Sequence, residues 1–502
     1  MKKIQRLILG LLLLAVGTLC ASTGQVPFDG HYKDTDYQET FRPQFHFSPQ
    51  NGWMNDINAL WYLDGTYHMT YQWGRPRRHG GYATSPDLLH WNDLGVALVP
   101  QDSHIKNVGA VPNVSGDQVY SGSGVVVSGE VAKKITGSTK PALVTLYTGT
   151  KVGTCIAWSN DGGETWNNYA NNPVAHITNG ANPRDPAVFW FEPEKKWVLA
   201  IYEVGTTFYE SRDLIQWEKT GNIRFGHECP DLCYLLLDGD VNNMKWVLYD
   251  AHGLYLVGDF DGKNFIPEQE ELRMDMGPDF YGAQTFFPEN LPERKYIQIG
   301  WMDKWNGGVG ERGWDRNATF PVELGLVSHE GKMRVTRTPV AAIEKLYGDS
   351  KSWKQVKMSG ATREGQIDPL EQVHSKNFDL SVTINIKEST AKEVIFYLNG
   401  YPVRYLLDQQ TIFLQGPKDR DRLPLSGVYH SLKQDAAGKV RLRFLVDWSC
   451  LEIFGNDGIF SFTEQYAFNP DDDTLDIQAI GGDLILDEIN FNPIRSIWGE
   501  RP

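Results

Sequence analysis

Short alternating runs of apolar and polar residues fill the chain from about residue 38 to about residue 340. Four of these runs share a longer pattern, in which a strand is followed by a Ser/Gly-Asp turn and an aromatic residue that closes the next strand. The closing aromatics are Trp91, Trp166, Trp217 and Phe265, so the period is about 50 residues with one long insertion. Repeats of about 40 to 50 residues with about four strands each are typical of β-propeller blades. With two further strand-like segments at 296–303 and 320–326, the pattern predicts a five-bladed β-propeller over residues 35–342.

The pattern changes after about residue 345. Segments at 379–387, 394–398, 442–446 and 451–454 are short, alternating or β-branched, and Gly/Asp turns separate them. This pattern is typical of a β-sandwich, which we expect over residues 350–502. Helical periodicity is confined to a turn or two at 340–346. The sequence therefore predicts an all-β fold, a five-bladed β-propeller followed by a C-terminal β-sandwich.

The N-terminus has the pattern of an export signal. Lys2, Lys3 and Arg6 precede a 13-residue apolar run at 7–19, and small residues follow it. A membrane-spanning helix needs about 17 to 25 apolar residues, and no later segment supplies them. We therefore predict a signal peptide over residues 1–21 and an exported protein, whether periplasmic, cell-surface or secreted. Cys20 leaves a lipid-anchored N-terminus as an alternative.

Charge and composition narrow the class of ligand. The 502-residue chain has 48 basic and 63 acidic side chains, a formal charge of −15, which argues against a nucleic acid partner. Its 16 Trp and 22 Tyr suit a protein that stacks amphipathic rings on sugars. Cys229 and Cys233 permit a metal or redox pair, but four residues of strand span about 13 Å and a disulfide needs Cα atoms within about 7 Å. Buried free thiols are the simpler interpretation.

Three acidic residues lie in unusual local settings, one in each of three blade-sized units. Asp56 lies in NGWMNDINAL, Asp185 in ANPRDPAV and Glu228 in FGHECPDLC. Because the inner strands of the blades line the central funnel of a propeller, we expect these acids to converge there. Asp56, among amide-bearing neighbours, is predicted to remain a nucleophilic carboxylate. Two carboxylates in different environments are the minimum for cleavage of a glycosidic bond.

The local sequence also predicts different protonation states for the other two acids. Pro186 favours an extended conformation at Asp185, and Arg184 favours its ionised form. Glu228 lies next to an apolar Cys-Pro pair at 229–230, where desolvation is expected to raise its pKa toward that of a general acid.

These motifs, taken together, resemble glycoside hydrolase family 32, the β-fructofuranosidases. WMND at 53–56, RDP at 184–186 and ECP at 228–230 resemble its three acidic motifs, and the resemblance covers nearly the whole chain after the signal. Further matching segments are FHFSPQNGWMND (45–56), YQ (71–72), YSGSG (120–124), SNDGGETW (159–166), YGAQTFF (281–287) and VDWSCLEIFGNDG (446–458).

The resemblance implies a retaining hydrolase that acts on β-fructofuranosyl units of fructans or sucrose, without a metal or cofactor. It implies that Asp56 is the nucleophile, Glu228 the acid/base and Asp185 the transition-state stabiliser. The substrate-binding residues that it implies are Trp53, Asn55, Gln72, Tyr120, Ser121 and Arg184. Trp301, after the strand YIQIG, is either a further sugar platform or a core residue.

Two departures from the family pattern concern the pocket. Ile57 and Ala59 replace the Pro and Gly that usually follow the WMND motif. The stretch after YQ is shorter than usual and carries Arg75, Arg77 and Arg78 where aromatic rings are expected. Either the rim that binds the leaving-group sugar is altered, or these arginines form a solvated turn.

Several alternatives remain open at this level. An endo-acting fructanase and a fructosyltransferase use the same three acids, and an inverting five-bladed glycosidase places acids in similar blades. A non-catalytic fructan-binding propeller is the alternative outside the enzyme class. The sandwich is expected to cover apolar propeller surface, or else to present Glu452 to the funnel of another subunit. The motifs do not determine linkage preference or oligomeric state.

Overall fold

A computed structural model describes residues 35–74, 77–100, 117–175, 183–292, 294–303, 313–360, 368–414 and 428–499. The predicted signal peptide with Cys20, and Arg75, lie outside these residues. The described chain forms seven β-sheets, five before residue 340 and two after residue 350. The all-β prediction of a five-bladed propeller followed by a sandwich is confirmed.

The core of each propeller sheet is a set of antiparallel strands that follow one another along the chain or nearly so. The first contains β1 (Gly52–Leu63), β2 (Thr66–Trp73), β3 (His79–Ser85) and β4 (Asn92–Leu98), and the second β5 (Val119–Val127), β6 (Ala142–Gly149), β7 (Gly153–Ser159) and β8 (Asn167–Asn168). The third contains β9 (Arg184–Phe191), β10 (Lys196–Glu203), β11 (Gly205–Ser211) and β12 (Glu218–Ile223). The fourth contains β13 (Asp231–Leu236), β14 (Met244–Tyr249), β15 (Leu254–Phe260), β16 (Phe265–Pro267) and β17 (Leu272–Arg273).

The chain that forms the fifth propeller sheet also contributes one strand to the first sheet. The fifth contains β18 (Phe280–Phe286), β19 (Ile297–Met302), β21 (Val322–His329) and β22 (Lys332–Pro339). Between them in the chain, β20 (Trp314–Asp315) pairs parallel to β1, so that the last unit is tied to the first.

The repeat seen in the sequence corresponds to the third and fourth strands of four blades. In the first blade, Asp87 accepts backbone N–H groups in the turn after β3, and Trp91 donates its ring N–H to the carbonyl of Leu88 at 2.9 Å. In the third blade, Trp217 makes the same bond to Leu214 at 2.8 Å. The Ser-x-Asp-Leu turn and the aromatic residue therefore specify one local structure, which is why the period was visible.

One helix was not predicted. Helix α1 (Gly129–Thr136) follows β5, and its buried residues are Ala132 and Ile135. Its eight residues fall short of the window of about 11–18 residues over which helical periodicity is judged. Short 3-10 helices lie at Glu192–Glu194, Pro288–Asn290 and Ala341–Leu346, the last where the sequence indicated a turn. Across the described ranges, no helix has the length and apolar character needed to cross a membrane.

The second domain packs two antiparallel sheets face to face around their own apolar core. The six-stranded sheet contains β23 (Lys351–Met358), β24 (Phe378–Asn385), β29 (Lys439–Asp447), β30 (Cys450–Gly455), β31 (Phe460–Gln465) and β33 (Leu484–Pro493). The five-stranded sheet contains β25 (Glu393–Leu398), β26 (Tyr401–Leu406), β27 (Thr411–Leu414), β28 (Val428–Ser431) and β32 (Leu475–Ile480).

The contact between propeller and sandwich is rich in buried hydrogen bonds. Arg337 of β22 is fully buried and forms an ion pair with Asp275, while its guanidinium also donates to Ser461 of β31 at 3.1 Å. Thr463 of β31 donates its hydroxyl to Asp275 at 2.8 Å. The two domains are therefore joined by bonds that need both of them.

Glu452 also belongs to this contact. Its side chain is fully buried, where one carboxylate oxygen accepts the backbone N–H of Phe320 at 3.0 Å. The alternative that Glu452 reaches into the funnel of another subunit is therefore wrong, because the carboxylate is enclosed between the two domains.

Candidate active site

The three acids lie in or just ahead of the first strands of three propeller sheets. Asp56 lies in β1, Asp185 in β9, and Glu228 just ahead of β13. All three line one cavity of about 390 Å³. The structure therefore brings together the three acids that the sequence singled out.

Most of the predicted sugar-binding residues surround the same cavity. Those that line it are Trp53, Asn55, Gln72, Tyr120, Arg184 and Trp301. Ser121 is fully buried behind the wall and reaches Asp56 through its hydroxyl. Trp301 lines the cavity but is only 2% exposed and also packs in the propeller core, so its role as a sugar platform stays a prediction.

Asp56 is held by side chains from two sheets. Its Oδ2 accepts hydrogen bonds from Ser121 Oγ at 2.5 Å and from Gln72 Nε2 at 3.1 Å. Among the described residues, none donates a hydrogen bond to Oδ1. Burial raises the pKa of Asp56, the Ser121 bond lowers it and nearby Glu228 raises it, with a net rise. One oxygen is thus fixed by two side-chain donors, and the other accepts no hydrogen bond from the described residues.

Gly282 makes room for Asp56. Its φ is +50°, and a Cβ there would lie 2.9 Å from Asp56 Oδ1 and 2.8 Å from the ring nitrogen of Trp301. Any larger residue at this position displaces the carboxylate or the ring, and the positive φ adds strain. The glycine of the YGAQTFF motif is therefore explained by its contact with Asp56.

Asp185 differs from its prediction in conformation and in charge. Its φ is +60°, not the extended value expected before Pro186. Burial raises its pKa to about 8, and the charge of Asp56 adds to that effect, which Arg184 only partly offsets. The expectation of an ionised Asp185 was wrong because the carboxyl is buried and two other carboxylates lie near it, and both effects raise its pKa.

Glu228 departs from its prediction in the opposite direction. Burial raises its pKa, but hydrogen bonds from Tyr281 and Arg184 outweigh burial and lower it overall. Arg184 Nε lies 3.0 Å from Glu228 Oε1, and the hydroxyl of Tyr281 donates to Oε2. The apolar Cys-Pro neighbours in sequence do not dominate, because an arginine from another blade and a tyrosine from a third reach the carboxylate.

Cys229 connects two of the acids. Its backbone N–H donates to Asp185 Oδ2 at 3.2 Å, and its Sγ lies 3.6 Å from Asp56 Oδ2. Burial raises the pKa of this thiol well above its usual value, so it is a neutral donor. Cys229 and Cys233 are buried free thiols, as the simpler interpretation held.

Sequence reasoning missed several residues of the cavity wall. Tyr281 lay in a recognised motif without an assigned role. Arg77 donates to the carbonyl of Asp117 at 2.8 Å, whereas Arg78 lies in the cavity, so the two neighbouring arginines differ. The lining residues to which the sequence gave no role are His252, Tyr281, Asp303 and Arg316, whereas the sequence placed Arg78 either at an altered rim or in a solvated turn.

A five-bladed propeller with three carboxylates, amides and tryptophans around one cavity defines a carbohydrate-active class of protein. The family model described as "Glycosyl hydrolases family 32 N-terminal domain" matches residues 46–338. The model described as "Glycosyl hydrolases family 32 C terminal" matches residues 342–493. The chain belongs to glycoside hydrolase family 32. Its Ile57 and Ala59, which depart from the family motif, are both fully buried in β1.

Known relatives extend over both domains. A levanase of Bacillus subtilis is 33% identical over 93% of this chain and 72% of its own length. An extracellular exo-inulinase of Aspergillus ficuum is 30% identical over 97% of this chain and 99% of its own. The crystal structure of an exo-inulinase from Aspergillus awamori superposes with a TM-score of 0.78, at 27% identity, over 92% of this chain and 100% of that one.

Proposed function

We propose that this protein is an exported retaining glycoside hydrolase that releases β-D-fructofuranosyl units from fructans of the levan or inulin type and from sucrose. Asp56 is the nucleophile, Glu228 the acid/base, and Asp185 the residue that stabilises the transition state. The observation that carries the proposal is the convergence of these three acids, from three sheets, on one cavity. The names of the relatives, levanase and exo-inulinase, supply the substrate class.

The hydrogen bonds to Asp56 indicate which atom attacks. Ser121 and Gln72 hold Oδ2, so Oδ1 forms the bond to the anomeric carbon of the fructosyl unit. The bond from that carbon to the leaving oxygen breaks in the same step, and the leaving oxygen takes a proton from Glu228. Water then attacks the anomeric carbon, gives its proton to Glu228, and releases Asp56.

Arg184 controls whether Glu228 carries the proton that the first step needs. In the free protein its guanidinium donates to Glu228 and helps keep that carboxylate ionised. Sugar hydroxyls that accept these donors remove the stabilisation, so the pKa of Glu228 rises when substrate binds. The raised pKa of Asp185, about 8, means that the acid cluster already holds a proton near neutral pH.

Export is proposed on the N-terminal pattern of basic and apolar residues, with the lipid anchor at Cys20 as the alternative form. Relatives described as extracellular exo-inulinases are consistent with this location.

The test is to incubate the protein with sucrose, inulin and levan and to separate the products. Fructose as the early product favours exo action, short oligosaccharides favour endo action, and longer chains favour transfer. NMR of the first-formed anomer tests retention, which requires the Asp56 and Glu228 carboxyls to lie about 5–5.5 Å apart; inversion requires about 6.5–9.5 Å. Glu228→Ala should lose at least about 10²-fold in turnover. Binding without any product would support the non-catalytic alternative and overturn the proposal.

A further inference from the structure

Arg78 occupies the cavity wall between two aromatic rings. Its guanidinium carbon lies 4.6 Å from the ring centroid of Tyr120 and 5.2 Å from that of Trp53. All three residues line the cavity that contains the acids. Contacts of this kind attract a cation to the faces of both rings and hold its plane in one orientation. The guanidinium is therefore fixed at the cavity by packing.

The same guanidinium has no acidic partner within the described part of the chain. Arg184 forms an ion pair with Glu228 at 2.5 Å, and Arg316 approaches Asp303 at 3.9 Å. Over the same residues, the side chain of Arg78 forms no ion pair and donates no hydrogen bond. A guanidinium carries five N–H donors, and a half-buried set of donors without acceptors favours a ligand that supplies them.

Arg78 lies on the Asp56 side of the cavity. Its charge lowers the pKa of Asp56, against burial and the charge of Glu228, which both raise it. Glu228, which protonates the leaving oxygen, is instead influenced by Tyr281, Arg184 and His227. A group on the Asp56 side faces the fructosyl unit that becomes attached to Asp56. The titratable or charged groups that face Asp56 are Glu228, Asp185, Cys229, Tyr281 and Arg78.

We propose that Arg78 is a substrate-binding and positioning residue, which donates hydrogen bonds to hydroxyls of the bound fructosyl unit and places a positive charge on the Asp56 side of the cavity. This inference rests on the proposed function. It assigns a role to an arginine where the family pattern leads one to expect an aromatic ring, so that part of the sugar contact is made by hydrogen bonds in place of stacking.

Two substitutions separate the two roles. Arg78→Lys keeps a positive charge but loses the planar set of donors, so KM for sucrose and short inulin should rise about tenfold or more while the low-pH limb of kcat/KM stays in place. Arg78→Met loses both, so KM should rise and the low-pH limb should also move to higher pH, because the pKa of Asp56 rises. Arg77→Met, which removes the neighbouring charge that points to Asp117, should change neither.

The measurement is kcat and KM between about pH 4 and pH 8, with thermal unfolding of each variant to establish that it folds. Arg78→Gln serves as the uncharged variant if Arg78→Met does not fold. The inference is overturned if the uncharged Arg78 variant has the KM and the low-pH limb of wild type. It is also overturned if Arg77→Met shows the rise in KM and the shifted limb expected of Arg78→Met. Wild-type protein without activity on any of the three sugars overturns the proposed function instead. Quenching of Trp fluorescence by fructose, weaker in both Arg78 variants than in wild type, tests the binding role independently of turnover.

Discussion

His46, in the segment that leads into β1, lies with its Nε2 3.0 Å from Glu452 Oε2 in the sandwich. Its other ring nitrogen, Nδ1, lies 2.9 Å from Asp447 Oδ2. All three side chains are fully buried. Burial by itself lowers the pKa of His46, but Cys450 and the two carboxylates outweigh burial and raise the pKa well above its usual value. A buried imidazolium between two carboxylates therefore joins the domains.

We expect Glu452→Gln to destabilise the protein by about 1.5–3 kcal/mol, because an amide only partly replaces the buried carboxylate that accepts hydrogen bonds from His46 and from the backbone N–H of Phe320. Urea unfolding measures this loss. The matched control is Asp473→Asn, which removes the carboxylate from an exposed pair with His374 at 3.0 Å and should cost about 1 kcal/mol or less. Equal effects of the two substitutions would contradict the role given to the buried pair.

The same pair predicts a pH dependence. An unfolded histidine has a pKa of about 6.5, and His46 has a higher pKa when folded, so its stabilisation is complete below about pH 6.5 and is lost as the pH rises toward the folded pKa. We expect the unfolding free energy of the wild-type protein to decrease over this range more than that of Glu452→Gln. Parallel pH curves for the two proteins would count against a charged His46.

Asp185→Asn should raise the stability of the protein at alkaline pH while lowering its activity. Asp185 has a folded pKa of about 8, above the usual unfolded value, so it destabilises the fold progressively as the pH rises between these two values. An amide cannot ionise, and the variant should therefore unfold at a higher temperature than wild type at alkaline pH while turnover falls by about 10²-fold or more. Melting curves at mildly acidic and alkaline pH provide the measurement. A variant less stable than wild type only at alkaline pH would show that the sign is wrong.

Tyr281→Phe should move the high-pH limb of kcat/KM upward. The tyrosine hydroxyl donates to Glu228 and helps to lower its pKa, so its removal allows that pKa to rise. The pH profile on sucrose provides the measurement. Tyr234→Phe is the matched control, because Tyr234 makes the same type of bond to Glu289 at 2.7 Å outside the cavity. An unmoved limb in Tyr281→Phe would indicate that another group controls it.

A chain ending near residue 345 should be poorly soluble. Removing the sandwich uncovers Arg337 and Asp275, which are buried beneath β31, together with apolar propeller surface. We expect a fragment of residues 22–345 to aggregate, which sedimentation and light scattering measure. A soluble and fully active fragment would show that the sandwich is not needed to cover the propeller.

Local motifs in the sequence were sufficient for the architecture and for the expectation that three acids converge on one cavity. The turn around Asp87 and the aromatic Trp91 form their bonds within a few residues of each other, so the same pattern recurs wherever the blade recurs. The acids Asp56, Asp185 and Glu228 each lie in or just ahead of the first strand of a blade. Periodicity and short-range hydrogen bonds are properties of neighbouring residues, and a sequence displays them directly.

The protonation of those acids was decided only by the tertiary structure. The pKa of Glu228 depends on Tyr281, 53 residues later in the chain, and that of Asp185 on Asp56 in another sheet. Arg77 and Arg78 are adjacent and chemically identical. Of the two, only Arg78 lines the cavity, because its guanidinium packs against the rings of Tyr120 and Trp53 there. Burial and charge act through space, so these properties depend on which distant side chains the fold brings within a few ångströms.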